Sequence, residues 1–112
     1  MEMIALYSKI LSQLNETIVA MTEPAFDALM QAGTVDQRQR AARELLDVQH
    51  ARLVLGNMVL ADIAARLKEN EKGFLDGIES LDEALERLED IEAILGTVST
   101  VLKIVGRVVT LL

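Results

Sequence analysis

Residues 93–112 read AILGTVSTVLKIVGRVVTLL and carry only two charges, Lys103 and Arg107. The secondary structure of this run decides the architecture. Its Val, Thr and Ile content suits strands, and Gly106-Arg107 could turn a hairpin. Helical spacing, however, gathers Gly96, Ser99, Thr100, Lys103, Arg107 and Thr110 into one polar arc. The remaining arc of about 220° is apolar, where a surface helix needs a stripe of about 100°. The run therefore predicts a helix with one more apolar face than a simple bundle covers. Such a surplus meets a second copy, a partner protein or lipid.

Working back from this run, Phe74, Ile78, Leu81, Leu85, Leu88, Ile91, Leu95, Val98, Leu102, Val105, Val109 and Leu112 form one apolar ladder. Its step is about 3.5 residues, the coiled-coil period. Three-residue steps at Leu85, Leu88 and Ile91 are the one irregularity, expected to overwind the helix locally. Gly73 and Gly77 bracket the preceding turn, where Asp76 with Glu79 and Ser80 with Glu83 offer competing capping boxes.

Earlier still, residues 34–70 read as a second long helix. Thr34-Val-Asp-Gln37 has the form of a capping box at its start. Its first part is rich in charge and amides. Residues 53–67 are apolar on nearly all sides, which suits a helix buried between neighbours. At the N-terminus, Met3, Ile4, Tyr7, Ile10, Leu11, Leu14, Ile18 and Met21 mark one helical face. Pro24 then kinks or breaks the helix before Phe26, Leu29, Met30 and Gly33. The expected fold is an all-α, elongated antiparallel bundle of three long helices, four if Pro24 splits the first, in one domain over residues 1–112. A hairpin about Gly73 sets the second and third helices antiparallel.

Composition agrees. Half the chain is hydrophobic (51%) but only Tyr7, Phe26 and Phe74 are aromatic, so the core is aliphatic. One proline and six glycines are too few for a many-turned β fold. The absence of cysteine excludes disulfides and thiolate chemistry. Residues 71–92 hold a net charge equal to that of the whole chain, −7, and read as a solvated acidic face. That charge opposes binding to nucleic acid. No basic, apolar leader opens the sequence, so a cytoplasmic location is expected.

Little in the chain suggests catalysis. His50 is the single imidazole, and Asp47-x-x-His50 is at most half of a bundle metal set, so no cofactor or metal is expected. Asn15-Glu-Thr17 matches a glycosylation sequon by chance on a helix, and Gly73-x-x-x-Gly77 reads as a turn. Asn57 and Asp62 stand in an apolar helix stretch, Asn57 on the ladder Leu46, His50, Leu53, Asn57, Leu60, Ala64, Leu67; either they set register or oligomeric state as buried polar groups, or both reach solvent or a neighbouring Arg.

These features point to a noncatalytic helical interaction or scaffold protein. It self-associates, most simply as a dimer, or binds a helical partner. The expected interface comprises Ile94, Val98, Val101, Leu102, Val105, Val108, Val109 and Leu112, so that Val98→Asp or Val105→Glu weakens assembly. Two alternatives are a membrane-active or membrane-surface protein using residues 93–112, and an acidic regulatory or immunity-type binding protein. Lys103 and Arg107 oppose full insertion in a bilayer.

Overall fold

Each of the three long helical stretches is broken once in the structure, a computed structural model that describes residues 1–110. The first stretch forms α1 (Met3–Met21) and α2 (Pro24–Gln31). Glu23 is extended, as a residue before proline prefers, and Pro24 occupies the first turn of α2, where no backbone donor is required. The second stretch forms α3 (Val35–Gly56) and α4 (Leu60–Glu69). Thr34 and Gln37 make the expected capping box, with Gln37 N–H donating to Thr34 Oγ1 at 3.1 Å and Thr34 N–H to Gln37 Oε1 at 2.9 Å. At the far end of α3, the Tyr7 hydroxyl donates to the Leu55 carbonyl at 2.6 Å. A carbonyl exposed by the end of the helix is thus satisfied from α1.

The third break decides the topology. α5 (Glu71–Arg87) ends at Leu88, which is left-handed with φ 48°, and α6 (Ile91–Val108) starts behind Asp90, whose carboxylate accepts the Ala93 N–H at 3.2 Å. A non-glycine residue in this conformation costs about 1 kcal/mol, and the half-buried Leu88 side chain, packed on the core, offsets it. α5 and α6 consequently fold back as a hairpin. Gly73 faces Ile104 and Gly77 faces Val101, so the two helices run antiparallel.

The other directions follow from side-chain contacts. Tyr7 lies at Leu55 and Asn15 at Arg52, so α1 and α3 are antiparallel. Arg40 pairs with Glu92, and Asp47 shares a cleft with Lys103, so α3 and α6 are parallel. The Met1 amino group lies 2.9 Å from Glu71, at the shared end of α1 and α5. α1, α3, α6 and α5 therefore stand at the corners of an elongated four-helix body, 44 × 26 × 18 Å overall. α2 packs on α1 and α3 at one end, and α4 packs on α1, α5 and α6 at the other. Arg66 of α4 donates to the Val108 carbonyl at 2.9 Å, closing the end of α6.

This arrangement corrects four expectations. Gly73 and Gly77 lie inside α5, where the lack of a side chain admits α6; only the bend at Asn70 separates α4 from α5. The apolar ladder from Phe74 is cut at residues 88–90, where the three-residue steps fall. α3 and α6 are parallel, because the chain reverses twice between them, once through α4 and again at the corner after α5; the expected antiparallel relation holds between α3 and α5. The wide apolar arc of the last helix is covered within the chain, by α3 on one side, α5 on the other and α4 at the end.

A Cβ at Gly77 would lie 3.2 Å from Val101 Cγ2, whereas one at Gly96 meets nothing within 4 Å. Gly77→Leu is therefore expected to force α5 from α6 and to cost about 1–3 kcal/mol. Gly96→Ala should add about 0.4–1 kcal/mol by restricting the unfolded chain. Urea unfolding midpoints read both; a neutral Gly77→Leu would show that the helices are not held at this spacing.

Candidate interaction surfaces

The residues expected to meet another molecule lie inside this one. Ile94, Val98, Val101, Val105, Val108 and Val109 are buried in the core, and Leu102 is half-buried against it. Leu112 lies outside the described residues. The reason is the corner at Leu88, which places α6 between three helices and leaves its exposed arc to Gly96, Thr100, Lys103, Gly106 and Arg107. Asn57 and Asp62 are both exposed. Asn57 ends α3, its N–H donating to the Leu53 and Val54 carbonyls, and Asp62 lies in the first turn of α4, where the helix dipole favours an acid. Neither is a buried register-setting group.

Between the parallel helices α3 and α6 lies a cleft of about 320 Å³ lined by Arg40, Arg43, Glu44, Asp47, Ser99, Leu102 and Lys103. Arg40 crosses it at one end to Glu92 at 2.9 Å, and Gln37 Nε2 donates to the same carboxylate at 3.1 Å. These donors hold the Glu92 carboxyl below the usual carboxylate range. Glu44 differs. Its Oε2 is buried without a hydrogen-bond partner, and desolvation, reinforced by Asp47 and Glu92 against the opposing pull of Arg40, pushes its carboxyl up to about 7.

Two of the other surface concavities lie near α2 and at the α5–α6 corner. A groove of about 620 Å³ between α1, α2 and α3 has Met21, Phe26, Met30, Ala41 and Leu45 in its floor and Arg38 at its rim. Arg38 is spent locally, donating to the Gly33 carbonyl at 2.8 Å. A cleft of about 370 Å³ lies over the α5–α6 corner, lined by Ser80, Glu83, Ala84, Arg87, Glu89, Asp90, Ala93 and Thr97. Five of the six acidic side chains of α5, Asp76, Glu79, Asp82, Glu83 and Glu86, face solvent, and the sixth, Glu71, is half-buried beside the Met1 amino group. Among the described residues no group of three or more metal-ligating side chains converges, and His50 is exposed on α3.

The surface that the sequence did not mark as one is the outer side of α3. Val35, Gln39, Ala42, Leu46, Gln49, Leu53 and Gly56 are all exposed and alternate strictly in steps of four and three. Val35 is 60% exposed, Leu46 66% and Leu53 62%, more than other large apolar side chains on this helix. The spacing is that of the contact seam of a coiled coil. α3 stands at a corner of the four-helix body, so the seam projects from it. The pattern was present in the sequence, but a ladder that faces solvent has the same period as one that faces the core. Comparison with protein-family models, curated proteins and solved structures finds no match.

The Glu44 environment makes stability depend on pH in a defined direction. Its carboxyl, raised from 4.5 to about 7, keeps a proton in the folded state that the unfolded chain has already released. Its contribution is thus full below pH 4.5 and is lost as pH rises through about 7. After solvent screening the loss is about 1 kcal/mol. Glu44→Gln should flatten the fall in unfolding free energy across this window; identical slopes for the two proteins would place Glu44 in water.

Proposed function

We propose that the chain is a noncatalytic helical interaction protein that associates through the outer seam of α3. One observation carries this reading: seven consecutive seam positions between Val35 and Gly56 are exposed on one straight helix, with Val35, Leu46 and Leu53 among them. Scattered apolar residues on a surface need no explanation, but Val35, Leu46 and Leu53 recur on one exposed line at coiled-coil spacing, interrupted by Gln39 and Gln49, and such a line is what a second helix packs against. The contact chemistry lies on α3 instead of α6, because α6 has already used its apolar arc in the core.

A membrane role finds less support. Among the described residues no helix is long and apolar enough to cross a bilayer. The apolar residues of 93–110 that would have to meet lipid are those that hold α3, α4 and α5 together. The acidic face of α5 belongs to the solvated surface and supplies no apolar anchor of its own.

Leu46→Glu and Leu53→Glu should abolish association while changing stability by no more than about 0.5 kcal/mol, because both side chains already face water. Val98→Asp and Val105→Glu should behave oppositely, costing upwards of about 3 kcal/mol by burying an unpaired charge. Sedimentation equilibrium with urea unfolding separates the two classes. A parent that is monomeric up to about 1 mM and captures no amphipathic helix would overturn the proposal.

A further inference from the structure

Resting on the α3 reading, we infer that the occupant of the seam is a second copy of this chain, lying antiparallel with the two-fold axis beside residue 44. In an antiparallel pair of helices each seam position faces one of the alternate class on its mate. With the axis at residue 44, Val35 of one copy faces Leu53 of the other, Gln39 faces Gln49, and Ala42 faces Leu46. Every apolar side chain then meets an apolar one, the two amides meet each other, and the smallest side chain meets a large one. A shift of one heptad either way sets a glutamine against an apolar or glycine layer and shortens the overlap. The parallel arrangement stacks Ala42 on Ala42 and leaves a void beside the Leu46 pair.

The flanks are consistent with the same register. Asp36 of one copy comes beside His50 of the other, an acid against a base, and this pair occurs twice about the axis. Arg38 and Arg52 share the opposite flank, but each is turned onto its own chain, Arg38 to the Gly33 carbonyl and Arg52 to Asn15 Oδ1 at 3.1 Å. Opposed helix dipoles add to the preference. At the axis Arg43 on one flank and Leu45 on the other each meet their own copy, and the Arg43 pair is a like-charge contact that weakens the dimer. The acidic helix α5 is at the corner diagonal to α3, so most of the net charge of −7 on each copy is held away from the contact.

The size of the seam fixes its strength. A helix of 22 residues is about 33 Å long and the contact strip about 10 Å wide, on the order of 350 Å² per copy, against roughly 800 Å² per partner in standard stable interfaces. The dimer is accordingly a weak, reversible one, below the size of standard stable interfaces.

The chain has no cysteine, so engineered thiols report the register directly. Under mild oxidation at about 200 μM, an equimolar mixture of Val35→Cys and Leu53→Cys proteins, one carrying a size tag, should give the mixed disulfide. Leu53→Cys alone should give none, since its two thiols lie about 27 Å apart along the antiparallel axis. Arg43→Gln should tighten the dimer about threefold. Circular dichroism melts matching the parent confirm that each variant is folded. Cross-linking of Leu53→Cys to itself, or no cross-link from the mixture, overturns the antiparallel register. If the parent still dimerises and Leu46→Glu abolishes it, the α3 reading survives that failure; a parent that is monomeric throughout removes the homodimer and leaves capture of a foreign amphipathic helix to decide that reading.

Discussion

The structure depends on the burial of the wide apolar arc of α6. Ile94, Leu95, Val98, Val101, Ile104, Val105 and Val108 cover far more of the helix circumference than one neighbour can shield. Burial of apolar area at about 25 cal/mol per Å² is the dominant favourable term, so the fold that wins is the one that surrounds α6. It does so by folding α5 back along it and laying α3 on its other side. Gly73 and Gly77 allow the first contact by letting side chains of α6 approach the α5 backbone. Leu88 accepts a left-handed conformation to make the turn, a small cost against the area gained.

Once α6 is enclosed, the polar surface is assigned by what remains. α3 has to serve α1 on one flank and α6 on the other. Its core residues Ala41, Val48, Ala51 and Leu55 are mostly small, in keeping with close packing on both. Glu44, facing α6, is partly desolvated in consequence and carries a raised proton affinity, whereas the exposed Glu92 of α6 is held low by Arg40 and Gln37. The opposite face of α3 is left with no neighbour among the described residues. There the seam from Val35 to Gly56 stands free. The same packing that buries the apolar arc of α6 thus leaves Val35, Leu46 and Leu53 exposed on α3.

Much of this was legible in the amino-acid order, and the illegible part has a common cause. The capping box at Thr34, the break at Pro24 and the solvent-facing acids of α5 rest on interactions within a few residues, and they stand where local chemistry puts them. The breaks at residues 57–59 and 88–90 carry weaker local signals. At the first, Asn57 follows Gly56, and the end is completed by Tyr7, 48 residues away. At the second, Asp90 is an ordinary helix cap, but the preceding ladder continues across it with the right period, so the continuous helix and the corner are locally close in energy. Asn57 and Asp62 looked like buried polar residues for the same reason: helical period places a residue on a face but does not say what covers it.

The sequence by itself determined that this chain is an all-α bundle with an aliphatic core, that the acids from Asp76 to Glu86 lie outward, and that its last helix needs more than one neighbour. These follow from composition, from the 3.6-residue period and from capping, all of which act over one or two turns. Only the tertiary structure decided who those neighbours are. The choice between a second molecule and the chain's own α5 is settled by loop closure at residues 88–90 and by the close fit of α6 on Gly73 and Gly77, contacts between residues 24 to 31 positions apart that no local pattern encodes. With that choice made, the free apolar surface moved from the end of the chain to the outside of α3.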